Sequence, residues 1–186
     1  MTTTEPFRLP PALADMGYSV RDEATGDDAY LLELYGQVRA PELERVPDWN
    51  DAQKAHFVAQ QFHAQRRHYR TRIEGCLFMV IEHHGSPVGR LYLQERETSW
   101  QIVDIALDVE RRGAGVGGAV ISHVRDMANR MGKGVGLFVE HDNPAQRLYR
   151  RLGFETVRDA GVYAELEWMP EPRWDAPSAV QLNTAS

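Results

Sequence analysis

A short glycine-rich segment is the part of this sequence best suited to bind a ligand. Residues 111–118 read Arg-Arg-Gly-Ala-Gly-Val-Gly-Gly and stand between an apolar run and an amphipathic run. Glycines allow the backbone to turn with successive N–H groups pointing outwards, and the N-terminus of a following helix adds partial positive charge. Together these features predict a binding site for a phosphate or pyrophosphate group.

The same segment also has the spacing of a dinucleotide-binding fingerprint. Gly113, Gly115 and Gly118 form G-x-G-x-x-G, and Glu140 stands where an acid that binds a ribose would fall. In a dinucleotide fold, however, the first glycine follows its strand almost directly, whereas residues 108–112 intervene here. Because fewer than 75 residues then remain for the second half of the sheet, an NAD(P)-binding oxidoreductase is the less favoured interpretation.

A second motif follows about 30 residues later. Residues 143–154 read Asn-Pro-Ala-Gln-Arg-Leu-Tyr-Arg-Arg-Leu-Gly-Phe. Asn143 can cap a helix whose first position is Pro144, and Gly153 falls where a left-handed residue would end that helix. Tyr149 lies four residues after Ala145 and therefore borders the buried face of the helix. Taken alone, these residues are explained by capping and by a packed core tyrosine.

In this order the two motifs resemble the GNAT superfamily of acetyl-CoA-dependent N-acetyltransferases. In that family R/Q-x-x-G-x-G/A holds the CoA pyrophosphate, and N-x-x-A-x-x-L-Y-x-x-x-G-F follows it. The resemblance covers residues 17–168 in element order and residues 100–168 at the level of individual residues. It implies acetyl-CoA as cosubstrate. The cofactor-binding residues that it implies are Leu107, Arg112, Gly113, Gly115, Val116, Gly117, Gly118, Asn143 and Tyr149.

The resemblance also implies catalytic roles. The backbone N–H of Leu107, where the central strand parts from its neighbour, would face the thioester carbonyl or the pantetheine. Tyr149 would act as the general acid beside the sulfur of CoA. For deprotonation of the amine the candidates are Asp104, within an apolar strand, and Glu140, just past the next strand. A buried, hydrogen-bonded Asp104 and a water relay fit the sequence equally well.

The second predicted helix carries many polar residues opposite its apolar side. His56, His63, Arg66 and Arg67 occur there, and exposure to solvent explains them. The GNAT resemblance implies instead that the first two helices and their connection line the acceptor site. We therefore keep this polar face, together with Tyr163 near the C-terminal strands, as a candidate contact surface for the acceptor.

The elements that must position these residues predict an α/β fold. Strands are predicted at residues 18–23, 77–82, 87–94, 100–107, 135–139, 155–157 and 162–168, and helices at 25–38, 51–72, 144–152 and from the glycine cluster onwards. Pro41 and Pro47 are expected to interrupt the helical pattern. The run at 100–107 is apolar at odd and even positions alike, which is typical of a central strand covered on both faces. The implied GNAT fold has a mixed β-sheet of six to seven strands and about four helices.

Three regions are expected along the chain. Residues 1–16 form an extended lead-in, residues 17–169 the GNAT domain and residues 170–186 a disordered tail, because prolines and weak periodicity mark both ends. The lead-in has neither a basic leader nor an apolar stretch, so no secretory signal is predicted.

Composition narrows the choice of compartment and partner. The 186 residues include 21 Lys and Arg against 27 Asp and Glu, which gives a formal net charge of −6. An acidic chain without a basic run is not typical of a nucleic-acid binder, and its apolar runs are too short to span a bilayer. With Cys76 as its one cysteine and no His-Glu-x-x-His motif, the chain favours a reducing cytoplasm and no metal site.

These observations predict a cytoplasmic acyltransferase of the GNAT type. It would transfer the acetyl group of acetyl-CoA to a primary amine by direct attack in a ternary complex. The acceptor would be a small molecule or a peptide or protein amine, and the resemblance is compatible with a homodimer. A non-catalytic acyl-CoA sensor that uses the fold as a binding module is the contrasting hypothesis.

Overall fold

The computed structural model describes residues 6–171, in which seven strands form a single mixed sheet with helices on both faces. The strands are β1 (Tyr18–Asp22), β2 (Cys76–His83), β3 (Ser86–Glu95), β4 (Ser99–Leu107), β5 (Gly134–Glu140), β6 (Glu155–Ala160) and β7 (Tyr163–Trp168). The helices are α1 (Pro11–Asp15), α2 (Asp28–Leu43), α3 (Asp51–Arg72), α4 (Val116–Arg130) and α5 (Gln146–Arg151). The predicted α/β fold is confirmed. Within residues 6–171 no helix has the length and apolarity needed to cross a membrane.

Strand β4 is the fourth of seven in the order β1-β2-β3-β4-β5-β7-β6, as its apolar pattern predicts. It pairs with β3 in antiparallel fashion and with β5 in parallel, and the other pairs are antiparallel. In the pairing with β3, Tyr92 lies opposite Asp104 but Leu93 lies opposite Ile102. Val103 is therefore one extra residue in β4, which makes a β-bulge.

The β4–β5 ladder is short. It joins Ser99–Ile102 to Gly134–Leu137 and ends there, although both strands continue towards their C-terminal ends. The two strands therefore part just where β4 contains its bulge, because a bulge bends the strand that carries it. The opening between the ends of β4 and β5 is called the split below. A second parallel half of a dinucleotide fold does not follow, since β5 next pairs with the antiparallel β7, so the oxidoreductase interpretation does not fit this fold.

Helices cover both faces of the sheet around β4. On one face, Val116, Val120 and Val124 of α4 are buried in the main core together with β4 and β5 residues. On the other face, Tyr35 of α2 packs against Phe62 of α3 with ring centroids 5.9 Å apart. Removing this apolar surface from water stabilises the fold by about 2 kcal/mol for each fully buried large side chain.

Local sequence signals explain where the helices next to the site begin. Asn50 accepts the N–H of Gln53 at 2.9 Å, and the Gln53 side chain accepts the N–H of Asn50 at 2.9 Å, so a reciprocal cap starts α3. The expectation that Pro41 interrupts the first long helix is wrong, because α2 continues through it to Leu43. Pro41 lacks one N–H, but α2 ends two residues later, so the helix loses a single bond near its terminus.

The N-terminal segment before β1 contains a short helix. The expectation of an extended lead-in is wrong at Pro11–Asp15, which forms α1 with a proline at its first position. This short helix is held because Leu9 and Leu13 are buried in the main core. Residues 1–5 and 172–186 lie outside the described part of the chain, and with them most of the expected tail at 170–186.

Candidate active site

The split exposes backbone groups of β4 to a possible ligand. Asp108 donates its N–H to the carbonyl of Val88 in β3 at 3.0 Å. Because successive N–H groups of a strand point to opposite sides, the N–H of Leu107 points away from β3 and towards β5. The ladder with β5 has ended five residues earlier, at Ile102. The N–H of Leu107 therefore faces the split, and its contact with the thioester carbonyl or the pantetheine, which the resemblance implies, stays a prediction.

The glycine loop is separated from the end of β4 by residues 108–112 but is tied to it. Arg112 donates from Nε to the carbonyl of Leu107 at 2.9 Å, so this arginine connects the loop to the strand end. Gly113 has φ +76° and Gly115 has φ +85°, a conformation that glycine adopts without strain. These two glycines let the chain reverse and enter α4 at Val116.

The first turn of α4 offers unpaired donors at the mouth of the split. The first helical bond runs from the N–H of Ala119 to the carbonyl of Gly115 at 2.9 Å. The N–H groups of Val116, Gly117 and Gly118 precede it and have no partner within the helix. Added to the positive end of the helix dipole, they fit a phosphate or pyrophosphate group.

The backbone conformation does not require glycine at positions 117 and 118. A Cβ at Gly117 would lie 3.6 Å from Cδ1 of Leu107, and one at Gly118 would lie 3.4 Å from Cδ1 of Leu148. Neither residue has a positive φ. The fold would therefore accept alanine at Gly117, and the lack of long side chains at these two positions leaves the N–H groups of the first turn open to a ligand.

Tyr149 on α5 is 7% exposed, and its ring packs edge-on against Phe154 with centroids 5.9 Å apart. Across residues 6–171 its hydroxyl has no hydrogen-bond partner, so the interpretation as a core tyrosine with a buried partner gains no support. Burial, aided by the Asp104 carboxylate, raises the pKa of Tyr149 to about 12. The hydroxyl therefore remains a proton donor throughout the neutral range.

Asn143 serves as a local cap. Its Oδ1 accepts the N–H of Ala145 at 2.9 Å, and α5 begins at Gln146, slightly later than the sequence predicts. Gly153 after the helix has φ +81°, as expected of a left-handed C-terminal residue. Capping thus explains the conformation of Asn143, and its contact with CoA stays a prediction.

Asp104 is engaged in a buried ion pair. Its Oδ1 accepts from Nε of Arg90 at 3.2 Å, and its Oδ2 accepts from Nη2 of Arg90 at 2.8 Å and from the hydroxyl of Tyr69 at 3.3 Å. Arg90 is 3% exposed. Burial disfavours its charged form, but the Asp104 carboxylate more than offsets this effect, and the pKa of Arg90 is raised. Both carboxylate oxygens of Asp104 therefore already have donors.

Glu140 at the end of β5 is more open. Its Oε1 accepts from Nη1 of Arg39 in α2 at 3.1 Å, and its side chain is 28% exposed, compared with 12% for Asp104. Tyr163 lies opposite Glu140 in the β5–β7 ladder. Burial and the charge of Glu140 raise the pKa of Tyr163, so this hydroxyl also stays protonated.

The predicted polar face of α3 contains both exposed residues and one residue engaged in ion pairs. His56, His63 and Arg67 are exposed, whereas Arg66 donates from Nη2 to Glu23 at 2.6 Å and to Asp28 at 2.8 Å. Arg66 therefore joins α3 to β1 and α2. Contact of this face with the acceptor stays a prediction.

Sequence reasoning missed Arg90, Tyr69 and Arg39, although one signal for the first of them was present. Arg90 stands within the apolar run 87–94, and Asp104 stands within the apolar run 100–107. A single charge of each sign in two adjacent apolar strands indicates a buried ion pair. Tyr69 and Arg39 come from helices, and nothing in their own spacing indicates the strands that they reach.

Replacing Asp104 with asparagine is expected to destabilise the fold by about 3 kcal/mol, because the buried guanidinium of Arg90 would lose its countercharge. For a domain of this size the melting temperature would fall by about 6–12 °C. Thermal and urea unfolding would measure both quantities. Asp22→Asn, at an exposed position of β1, is the matched control, and an unchanged stability of Asp104→Asn would show that Arg90 does not depend on this carboxylate.

The fold and the site together define a class of protein. A central parallel pair that separates, a helix N-terminus after β4 and a buried, protonated Tyr149 are the features that the GNAT resemblance implies. Residues 74–156 match the family model described as the acetyltransferase (GNAT) domain. Residues 74–156 therefore belong to a GNAT acetyltransferase domain, and the resemblance read from the two motifs is confirmed.

Individual relatives agree with this assignment. A mycothiol acetyltransferase of Saccharomonospora viridis is 36% identical over 83 residues, which are 44% of this chain and 24% of that protein. The PaiA N-acetyltransferase from Thermoplasma acidophilum, solved in complex with coenzyme A, has a TM-score of 0.61 at 13% identity and covers 83% of this chain and 99% of its own. The yncA protein from Salmonella typhimurium, solved with acetyl-CoA, has a TM-score of 0.50 at 21% identity and covers 88% and 99%. At these identities the two structures establish the fold.

Proposed function

We propose that this chain is an N-acetyltransferase that transfers the acetyl group of acetyl-CoA to a primary amine by direct attack in a ternary complex. One observation carries the proposal: the split opens beside the first turn of α4, and Tyr149, whose hydroxyl has no hydrogen-bond partner within residues 6–171, is close enough to β4 for the charge of Asp104 to raise its pKa. Acetyl-CoA supplies a thioester-activated acetyl group when bound. Two structural relatives solved with CoA or acetyl-CoA support this choice of cosubstrate.

The residues of the chain divide the work of binding and activation. The N–H groups of Val116, Gly117 and Gly118 would bind the pyrophosphate, and the bond from Arg112 to Leu107 keeps their loop beside the split. The N–H of Leu107 would stabilise negative charge on the thioester carbonyl. Gly113, Gly115 and Asn143 shape the two ends of this site.

Two residues would move protons, one as a donor and the other as an acceptor. The protonated hydroxyl of Tyr149 would steady the departing thiolate by giving it a proton or a hydrogen bond. Glu140 would accept the proton of the amine, directly or through one water, because its carboxylate is partly exposed and has one oxygen bonded to Arg39. Asp104 serves to hold Arg90 and Tyr69, so of the two predicted bases we propose Glu140 alone.

Substituting Glu140 with glutamine is expected to lower turnover about 10²-fold while leaving CoA affinity nearly unchanged, because an amide cannot accept the proton. Initial rates over a range of pH, with saturating acetyl-CoA, would measure the loss. Asp104→Asn is the comparison: turnover per folded molecule should be largely kept despite the lower stability. If both variants keep the parental rate and pH profile, neither carboxylate is the base and a water relay becomes the better account.

The acceptor is proposed only as a class, an amine of a small molecule or of a peptide or protein. Release of free thiol from acetyl-CoA across a panel of such amines tests the function, alongside thermal unfolding with CoA and with NAD. Stabilisation by CoA with turnover supports the transferase. Stabilisation by CoA without turnover on any amine would favour the non-catalytic acyl-CoA sensor, and a preference for NAD would overturn both.

A further inference from the structure

Helix α2 lies across the split and contacts both strands that border it. On the side of β4, the hydroxyl of Tyr30 donates to Oδ1 of Asp108 at 3.2 Å. Gln37 accepts the backbone N–H of Val109 at 3.1 Å through its Oε1. The two residues that α2 contacts, Asp108 and Val109, follow Leu107 immediately in sequence, so these bonds hold the end of β4 and the turn that leads into the glycine loop.

The other side of α2 holds the end of β5. Arg39 donates to Glu140 at 3.1 Å, and the same guanidinium contacts Glu42 at 2.6 Å and the hydroxyl of Tyr35 at 3.3 Å. Two residues past the end of α2, Arg45 lies 3.4 Å from Asp142, in the loop after β5. Arg39 is 22% exposed at its side chain, whereas the Arg45 pair is exposed to solvent and contributes little.

Helical geometry explains how a single helix reaches both strands. Tyr30 and Gln37 are seven residues apart and therefore share one flank, while Arg39 is nine residues from Tyr30 and falls half a turn away. The buried residues Leu31 and Tyr35 point between these two flanks into the fold. Side chains on opposite flanks thus hold opposite sides of the split.

We propose that α2 sets the spacing between the ends of β4 and β5, and that Tyr30, Gln37 and Arg39 are positioning residues for the transfer reaction. The sheet does not fix this spacing, because its β4–β5 ladder stops at Ile102 and Leu137. The inference rests on the proposed function in one respect. The N–H of Leu107 must contact the thioester carbonyl while the carboxylate of Glu140 contacts the amine that attacks it. A misplacement of about 1 Å between such groups lowers rates by about 10²-fold.

Hydrogen exchange tests the spacing without any knowledge of the acceptor. Arg39→Met should speed amide exchange about fivefold at residues 108–112 as well as at 139–142, because loosening one flank frees the helix from the other. Gln37→Leu combined with Tyr30→Phe should speed exchange in the same two segments. Val38→Ala, at an exposed position of α2, is the control and should change neither. Changes confined to the strand whose own contact was removed would overturn the proposal.

Binding and kinetics supply the second readout. Arg39→Met should keep the Kd for CoA within about twofold but lower kcat about tenfold, whereas Arg39→Lys, which retains a cation, should recover much of the loss. Equal rates for the parent and Arg39→Met would overturn the positioning role. If the parent itself transfers acetyl to no amine in the panel, the proposed function fails, and the exchange experiment still decides whether α2 couples the two strands. Should Arg39→Met not fold, Gln37→Leu alone, which removes one bond to an exposed turn, gives the same exchange test.

Discussion

Replacing Tyr149 with phenylalanine should lower turnover about 10²-fold or more and leave acetyl-CoA binding and the melting temperature nearly unchanged. The ring would keep its edge-on contact with Phe154, so packing is preserved. The hydroxyl has no partner among residues 6–171, so its removal breaks no buried hydrogen bond of that region. The loss should therefore appear in kcat, measured with saturating acetyl-CoA and an amine that the parent protein acetylates.

The pH dependence provides a second test of Tyr149. Its pKa, raised by burial to about 12, lies above the ordinary value of about 10, so the hydroxyl is fully protonated below pH 10 and is lost as acid only as the pH approaches 12. The parent rate should show no fall between pH 8 and 10 that depends on this residue. Tyr18→Phe is the matched control, since Tyr18 is also buried but lies on β1. Full turnover in a stable Tyr149→Phe protein would leave Tyr149 with a packing role only.

Gly117→Glu should abolish CoA binding while the protein stays folded. The new side chain would start 3.6 Å from Leu107 and place a carboxylate among the free N–H groups of α4, where it would occupy the pyrophosphate position and repel that group. At a CoA concentration of about 100 times Kd, the parent gains about 2.7 kcal/mol of stability. The variant should gain none, which thermal unfolding with and without CoA would show.

Two controls separate a blocked site from a damaged fold. Gly117→Ala adds a methyl group for which there is room and should keep most of the CoA-induced shift. Gly26→Glu adds the same charge at an exposed glycine with free space around it and should keep all of the shift. Gly115 is a poorer test than the sequence suggests, because its φ of +85° would strain any replacement. An unchanged CoA affinity in Gly117→Glu would refute this placement of the site.

Local signals made the backbone conformation around the candidate site predictable. The glycines of 113–118 and the run from Asn143 to Gly153 encode their own backbone, through left-handed residues, a cap and a helix start. The position of Tyr149 on the buried side of α5 was predictable as well, because a helix that begins near Asn143 fixes the direction of each later side chain. The elements themselves were also predictable where periodicity was long, as in α3, whose bounds Asp51–Arg72 match the expectation.

What the sequence could not show depends on contacts between distant elements. Asp104 and Glu140 were equivalent candidates, and only the approach of Arg90 and Tyr69 to one and of Arg39 to the other separates them. The continuation of α2 through Pro41 depends on where the helix ends, because a lost bond costs less near a terminus.

The split between β4 and β5 depends on one extra residue in β4, Val103. Before it, Ile102 faces α4, and after it Asp104 faces α3, so one inserted residue reverses the phase of the strand. If Val103 were instead paired regularly with β3, Asp104 would lie on the same side as Ile102, the apolar side of the sheet, away from Arg90. The opening is therefore encoded by the number of residues in β4 as well as by their identities, and deleting Val103 is expected to let the β4–β5 ladder continue past Ile102.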